Sequence, residues 1–219
     1  MKPIKNTLFS SLIGLSLLLF NSCGSSSEKS ADESTEKQAT VANNPAAQVA
    51  QKQFYYINTA GNEKLAEITT EGEDLIISLA NSNLFGELKR ADKRKYVDQS
   101  DQLKYTVKYK EDGFKLNDQN EALLWKIKLY DDHIKVADNN EMENSYRVGL
   151  SGTSKIKLKK DDDELAALIL KPGDPFVQVK EHYIIRNFGN SLALGILLID
   201  EIPDEEKYII CAELLKKEK

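Results

Sequence analysis

FKLNDQNEALLWKIKLYDDHIKVAD, residues 114–138, alternates with a period of two. Trp125, Ile127 and Leu129 interleave with Lys126 and Lys128, and Ile134 and Val136 flank Lys135. Successive side chains of a strand point to opposite faces, so each run has one apolar and one wet face, the pattern of antiparallel strands covered on one side. Between the runs stand Asn117 to Glu121 and Asp131-Asp132. Asn and Asp accept the left-handed backbone angles of tight hairpins. The stretch reads as three strands joined by two turns.

The same rhythm extends in both directions. Tyr105, Val107 and Tyr109 oppose Lys104, Thr106, Lys108 and Lys110; Ile156 and Leu158 oppose Lys155, Lys157 and Lys159. Further turn clusters lie at residues 59–62, 71–74, 81–83, 111–113, 138–144, 161–164 and 172–174. About a dozen strands, nearly all antiparallel neighbours, predict a mainly β antiparallel barrel, with a β-sandwich carrying a C-terminal helical hairpin as the alternative. Residues 55–78, 114–138 and 156–180 can be laid over one another as strand, polar turn, strand, acidic turn, strand, a repeated β-meander.

Past residue 190 the period changes. Leu192 to Ile199 is apolar on every side, and Asp204 to Lys217 follows Pro203 with acids first and lysines last, matching a helix start and the helix dipole. C-terminal helices are expected over 190–217. A helix apolar all round is a buried one, and this run is too short and its flank too acidic for a membrane span.

The opposite end carries Lys2 and Lys5, then an apolar run from Leu8 to Phe20, the layout of an export signal. Phe20-Asn21-Ser22-Cys23 resembles the lipobox of bacterial lipoproteins. That resemblance implies a signal peptide over 1–22 and an S-diacylglycerol anchor on Cys23. More than one acyl chain makes such an anchor stable. Gly24 after the cysteine implies the outer membrane of a diderm envelope. Residues 23–53 then form a lipidated tether, because Ser, Glu, Ala, Asn and Gln offer too little apolar surface to offset ordering entropy. The globular domain spans 54–219.

With 30 Lys and Arg against 35 Asp and Glu, the net charge is −5, and −7 once Lys2 and Lys5 are removed. Such a balance argues against bulk nucleic-acid binding. If Cys23 is lipidated, Cys211 has no partner, so no disulfide is expected.

Tyr109-Lys-Glu-Asp-Gly-Phe-Lys-Leu116, Leu124-Trp-Lys-Ile-Lys128 and the terminal LALGILLIDEIPDEEKYIICAELL resemble the tubby C-terminal-like superfamily, in the branch of phospholipid scramblases and LURP-one proteins. The resemblance implies a closed twelve-stranded barrel threaded by a hydrophobic helix over about residues 54–215. It also implies contact with phospholipid, since tubby domains bind phosphoinositides.

The chain has no Gly-rich phosphate loop, paired Cys motif or GxSxG elbow, so a non-catalytic role is expected, without cofactor or metal. His133 and His182 read as surface imidazoles. Asp161 to Glu164 reads as a solvated turn, lacking the spacing and glycine of an EF-type calcium loop. Trp125 and the tyrosines fill the core, and Cys211 is a core thiol. Candidate binding residues are basic: Lys89, Arg90, Lys93, Arg94 and Lys95 in one run, with Lys126 and Lys128 on a wet strand face and further lysines on the outward faces at 104–110 and 155–159. If these faces adjoin, they form a stripe suited to anionic lipid head groups or envelope proteins. Against that, lysine is the usual occupant of wet strand faces, and turn acids neutralise it locally.

Overall fold

The computed structural model describes residues 52–218. The signal segment 1–22, Cys23 and the tether up to residue 51 lie outside the described residues. The first seven strands are β1 Gln53–Thr59, β2 Lys64–Glu71, β3 Asp74–Leu79, β4 Asn83–Arg90, β5 Lys93–Val97, β6 Leu103–Lys110 and β7 Gly113–Asp118. Then come β8 Leu123–Leu129, β9 His133–Ala137, β10 Tyr146–Leu150, β11 Lys155–Lys160, β12 Asp163–Ile169, β13 Val177–Val179 and β14 Tyr183–Arg186. Two helices follow, α1 Ala193–Ile196 and α2 Asp204–Lys217.

All fourteen strands belong to one antiparallel sheet, in which each strand from β1 to β12 pairs with its sequence neighbour and β14 pairs with β1. The sheet curls into a nearly closed barrel, not a sandwich. The number exceeds the expected dozen because some turns lack the usual signals: Ala91-Asp92 joins β4 to β5 without Gly or Asn, and Lys180 itself takes the left-handed angle, φ 51°, after β13.

Two of the three meander copies, β1–β2–β3 and β7–β8–β9, are hydrogen-bonded throughout. The third breaks. Strands β12 and β13 are the two free edges of the sheet. Ala167 and Gln178 face a common void of ≈ 520 Å³ between them. Pro172 and Pro175 in the connecting loop have no N–H to donate, which works against a ladder there.

Helix α2 fills the barrel. Every residue from Lys207 to Leu215 is buried, so no face of the helix is wet. The more apolar run before it gives only the single turn α1, where Gly195 packs so closely on β10 that a Cβ would collide with Val148. The threaded element is thus the amphiphilic segment, and the greasier one is its plug.

Aromatic donors on the inner wall explain how a helix with acids stays inside. Tyr96 and Tyr109 donate hydroxyl hydrogens to Glu213 at 2.8 and 2.7 Å and Trp125 Nε1 to Glu206 at 2.6 Å, while Tyr183 donates to Asp204 at 3.1 Å at the exposed start of the helix. Buried polar groups are tolerated when paired in this way.

Candidate functional site: a cationic band on the barrel wall

The basic run 89–95 is not one surface. It is a hairpin made of the end of β4, the turn Ala91-Asp92 and the start of β5, so its cations alternate sides. Lys93 and Lys95 point out; Arg94 points in and is 1% exposed. Arg94 therefore does not belong to a surface that a partner could touch.

Inside the barrel, Arg94 serves the helix. Its Nε lies 3.2 Å from Glu213 Oε1 and donates to Tyr109 Oη at 2.9 Å, while Nη1 donates to the carbonyls of Gly86 at 2.9 Å and Glu73 at 2.5 Å. Gly86 makes the room: a Cβ there would stand 2.7 Å from the Tyr96 ring. Burial pushes the Glu213 carboxyl up, against the pull of Arg94 and the two hydroxyls. Sequence reading missed Glu213, whose signal was a lone acid between Ala212 and Leu214 in an apolar run.

Outside, cross-strand register turns scattered lysines into rows. Arg90 lies opposite Lys93, Lys93 opposite Lys108, Lys108 opposite Lys115 and Lys115 opposite Lys126. One outward position along β8, Lys128 lies opposite Lys135, Lys135 opposite Arg147 and Arg147 opposite Lys159. Nine cations on eight adjacent strands form this band. It joins the predicted Arg90, Lys93, Lys108, Lys126, Lys128 and Lys159 with Lys115, Lys135 and Arg147. Lys95 stands beside it, opposite Thr106, and Lys89 pairs with Glu87 away from it.

Acids from the hairpin turns cover part of the band. Glu121 lies 2.9 Å from Lys93 and 3.0 Å from Lys108, Asp112 lies 2.8 Å from Lys128, Asp132 lies 3.4 Å from Arg147 and Asp92 lies 3.2 Å from Arg90. Lys93, with Lys108, holds the Glu121 carboxyl down at about 2, far below the usual carboxylate range. The other four cations meet no carboxylate. Lys115 and Lys126 donate to the side chain and backbone oxygens of Asn140 at 2.6 and 2.5 Å. Lys135 and Lys159 have no ion pair among the described residues. Gly149, with no side chain, opens a cleft of ≈ 250 Å³ beside Arg147, Lys157 and Lys159.

The remaining candidates fall elsewhere. His133 stacks on Tyr130, ring centroids 4.4 Å apart, with Nδ1 2.6 Å from Asp132. His182 lies in the turn before β14. Asp161 and Asp162 form the β11–β12 turn with φ of 50° and 71°, and Glu164 pairs with Lys155 and Lys157. Cys211 is fully buried, its thiol donating to the Ala193 carbonyl at 3.3 Å, and burial pushes its pKa up. No metal-holding cluster of His, Cys, Asp or Glu occurs among the described residues, and no described helix is long and apolar enough to cross a membrane.

No protein-family model, curated protein or solved structure matches the chain.

Proposed function

We propose that this chain is a lipid-anchored protein of a bacterial cell envelope, acylated on Cys23, and that its barrel is a non-catalytic binding module. The tubby-like resemblance is part of this reading, and the outer membrane is its expected location. The observation that carries it is the like-charged band. Cations placed directly opposite one another across a sheet are destabilising where no acid stands beside them, as at Lys115, Lys126, Lys135 and Lys159. Here seven successive cross-strand pairs are cation against cation in a protein of net charge −5. That arrangement opposes folding stability and favours an anionic partner.

Replacing Cys23→Ala in the full chain should release it from carbonate-washed membranes; retention would refute the anchor. The released protein should rebind isolated envelopes in a salt-sensitive manner, and Lys135→Glu with Lys159→Glu should abolish that rebinding. Unchanged rebinding by the double variant would remove the band from the reading.

A further inference from the structure

The band has a direction and a curvature, and both restrict what lies on it. It crosses the strands instead of following one, passing from Arg90 on β4 to Lys159 on β11 through register neighbours. Adjacent strands lie about 4.8 Å apart, so the track advances by one cation per strand spacing and covers seven spacings, about 34 Å.

From β4 to β11 it occupies eight of the fourteen strands, just over half of the barrel wall. In a barrel, strands half a turn apart face opposite ways. A flat bilayer would meet only the few strands turned towards it and leave the ends of the track unused. A narrow, flexible chain lying across the strands would meet all of it.

The chemistry of the track narrows the chain further. Between the cations the outward positions hold Thr106, Asn117, Leu124, Ala137, Gly113 and Gly149, and the aromatic pair on this face, His133 opposite Gly149 and Tyr130, is stacked ring on ring. Single-stranded nucleic acids gain much of their affinity by stacking successive bases on a series of aromatic side chains, and this track offers one pair, Tyr130 and His133, already stacked on each other. The spacing of about 4.8 Å is close to the advance of one residue in an extended polysaccharide. Thr106, Asn117 and Ala137 between the cations are already buried, so a ligand on this track meets the cationic side chains and not the wall between them.

Resting on the binding-module reading above, we infer that the band from Arg90 to Lys159 is a docking track for a linear acidic polysaccharide, one carboxylate per sugar, laid across β4 to β11. The four cations without a carboxylate partner, Lys115, Lys126, Lys135 and Lys159, make the first contacts. Lys93, Lys108, Lys128 and Arg147 exchange their turn acids for the ligand.

The full-length Cys23→Ala protein would be titrated with polygalacturonate oligomers of increasing length, with fully methyl-esterified oligomers, with phosphatidylglycerol vesicles and with an oligothymidylate. Affinity for polygalacturonate should rise with length until the oligomer covers the track, about eight residues at one per strand from β4 to β11, and then level off. Esterified oligomers should not bind. Lys135→Gln with Lys159→Gln should weaken binding about tenfold and flatten its salt dependence, whereas Lys64→Gln on β2 should leave it unchanged, with thermal unfolding as the check on folding.

Vesicles bound through the same lysines without polygalacturonate binding would overturn the polysaccharide and keep the binding-module reading. Stronger binding of oligothymidylate would also overturn it. Loss of envelope rebinding together with all four ligands would overturn both.

Discussion

Arg94 shows how far one side chain's meaning depends on which way its strand faces. As part of a basic run it resembles a surface contact; as the inward residue between Lys93 and Lys95 it is the counter-ion of a buried acid. Breaking a buried ion pair from one side leaves the other charge uncompensated, at a cost of about 3–5 kcal/mol. Arg94→Met and Glu213→Gln should each destabilise by about that amount. In the double variant no unpaired charge remains and the tyrosine hydroxyls keep an acceptor, so the losses should fall well short of additive. Urea unfolding of the four proteins in a double-mutant cycle measures this coupling, and strict additivity would refute it. The inward position of Arg94 was legible in principle, since Tyr96 two residues on is a core type. What hid it was the turn Ala91-Asp92, which has too little Gly or Asn character to divide the run. Glu213 was less legible, because an acid within an apolar helix announces a buried partner without saying which strand supplies it.

At the scale of the strand, period-two alternation assigns faces but not register. Lys126, Lys128 and Lys135 read correctly as outward from the sequence. That Lys128 stands opposite Lys135, and Lys135 opposite Arg147, depends on turn lengths and bulges that alternation does not encode. The same limit explains why Lys89 to Lys95 looked like the heart of the basic feature, while the cations that meet no carboxylate lie on β7 to β11. Register also gives the band a measurable energetic sign. Lys135 has cations on both sides and no acid partner. Lys135→Thr replaces two repulsive cross-strand neighbours with a residue that suits strands, so it should stabilise the barrel by about 0.2–1 kcal/mol while weakening binding. Thermal or urea unfolding tests the first part; a loss of stability would mean the lysine is a structural component of the wall and not a concession to a ligand. Helix α2 teaches the complementary lesson: hydrophobicity pointed to residues 191–199 as the buried rod, but the inner wall selects the helix whose acids match its tyrosine and tryptophan donors.

For the whole molecule, those donors make the barrel sensitive to alkali. Tyr55, Tyr96, Tyr105, Tyr109, Tyr146, Tyr183 and Tyr208 all have raised pKa values, and in each the first cause is burial. Carboxylates add to it: Glu213 for Tyr96 and Tyr109, Glu205 for Tyr105, and Asp204 for Tyr183, which is pushed up to about 12. The sign follows from proton counting. Above the ordinary tyrosine value of 10.0 the unfolded chain releases protons that the folded barrel still holds, so each of these groups favours unfolding as pH rises, and its contribution to stability is intact only below that value. Seven of nine tyrosines act in the same direction. Ionisation and unfolding should therefore be one event: the tyrosinate absorbance of these residues should appear late and in the same step in which the β-sheet circular dichroism is lost. A gradual rise in absorbance with the dichroism preserved would mean the hydroxyls reach water without disturbing the helix. The wall and its threaded helix would then not be the single cooperative unit that shared hydrogen bonds across β5, β6, β8 and β14 require.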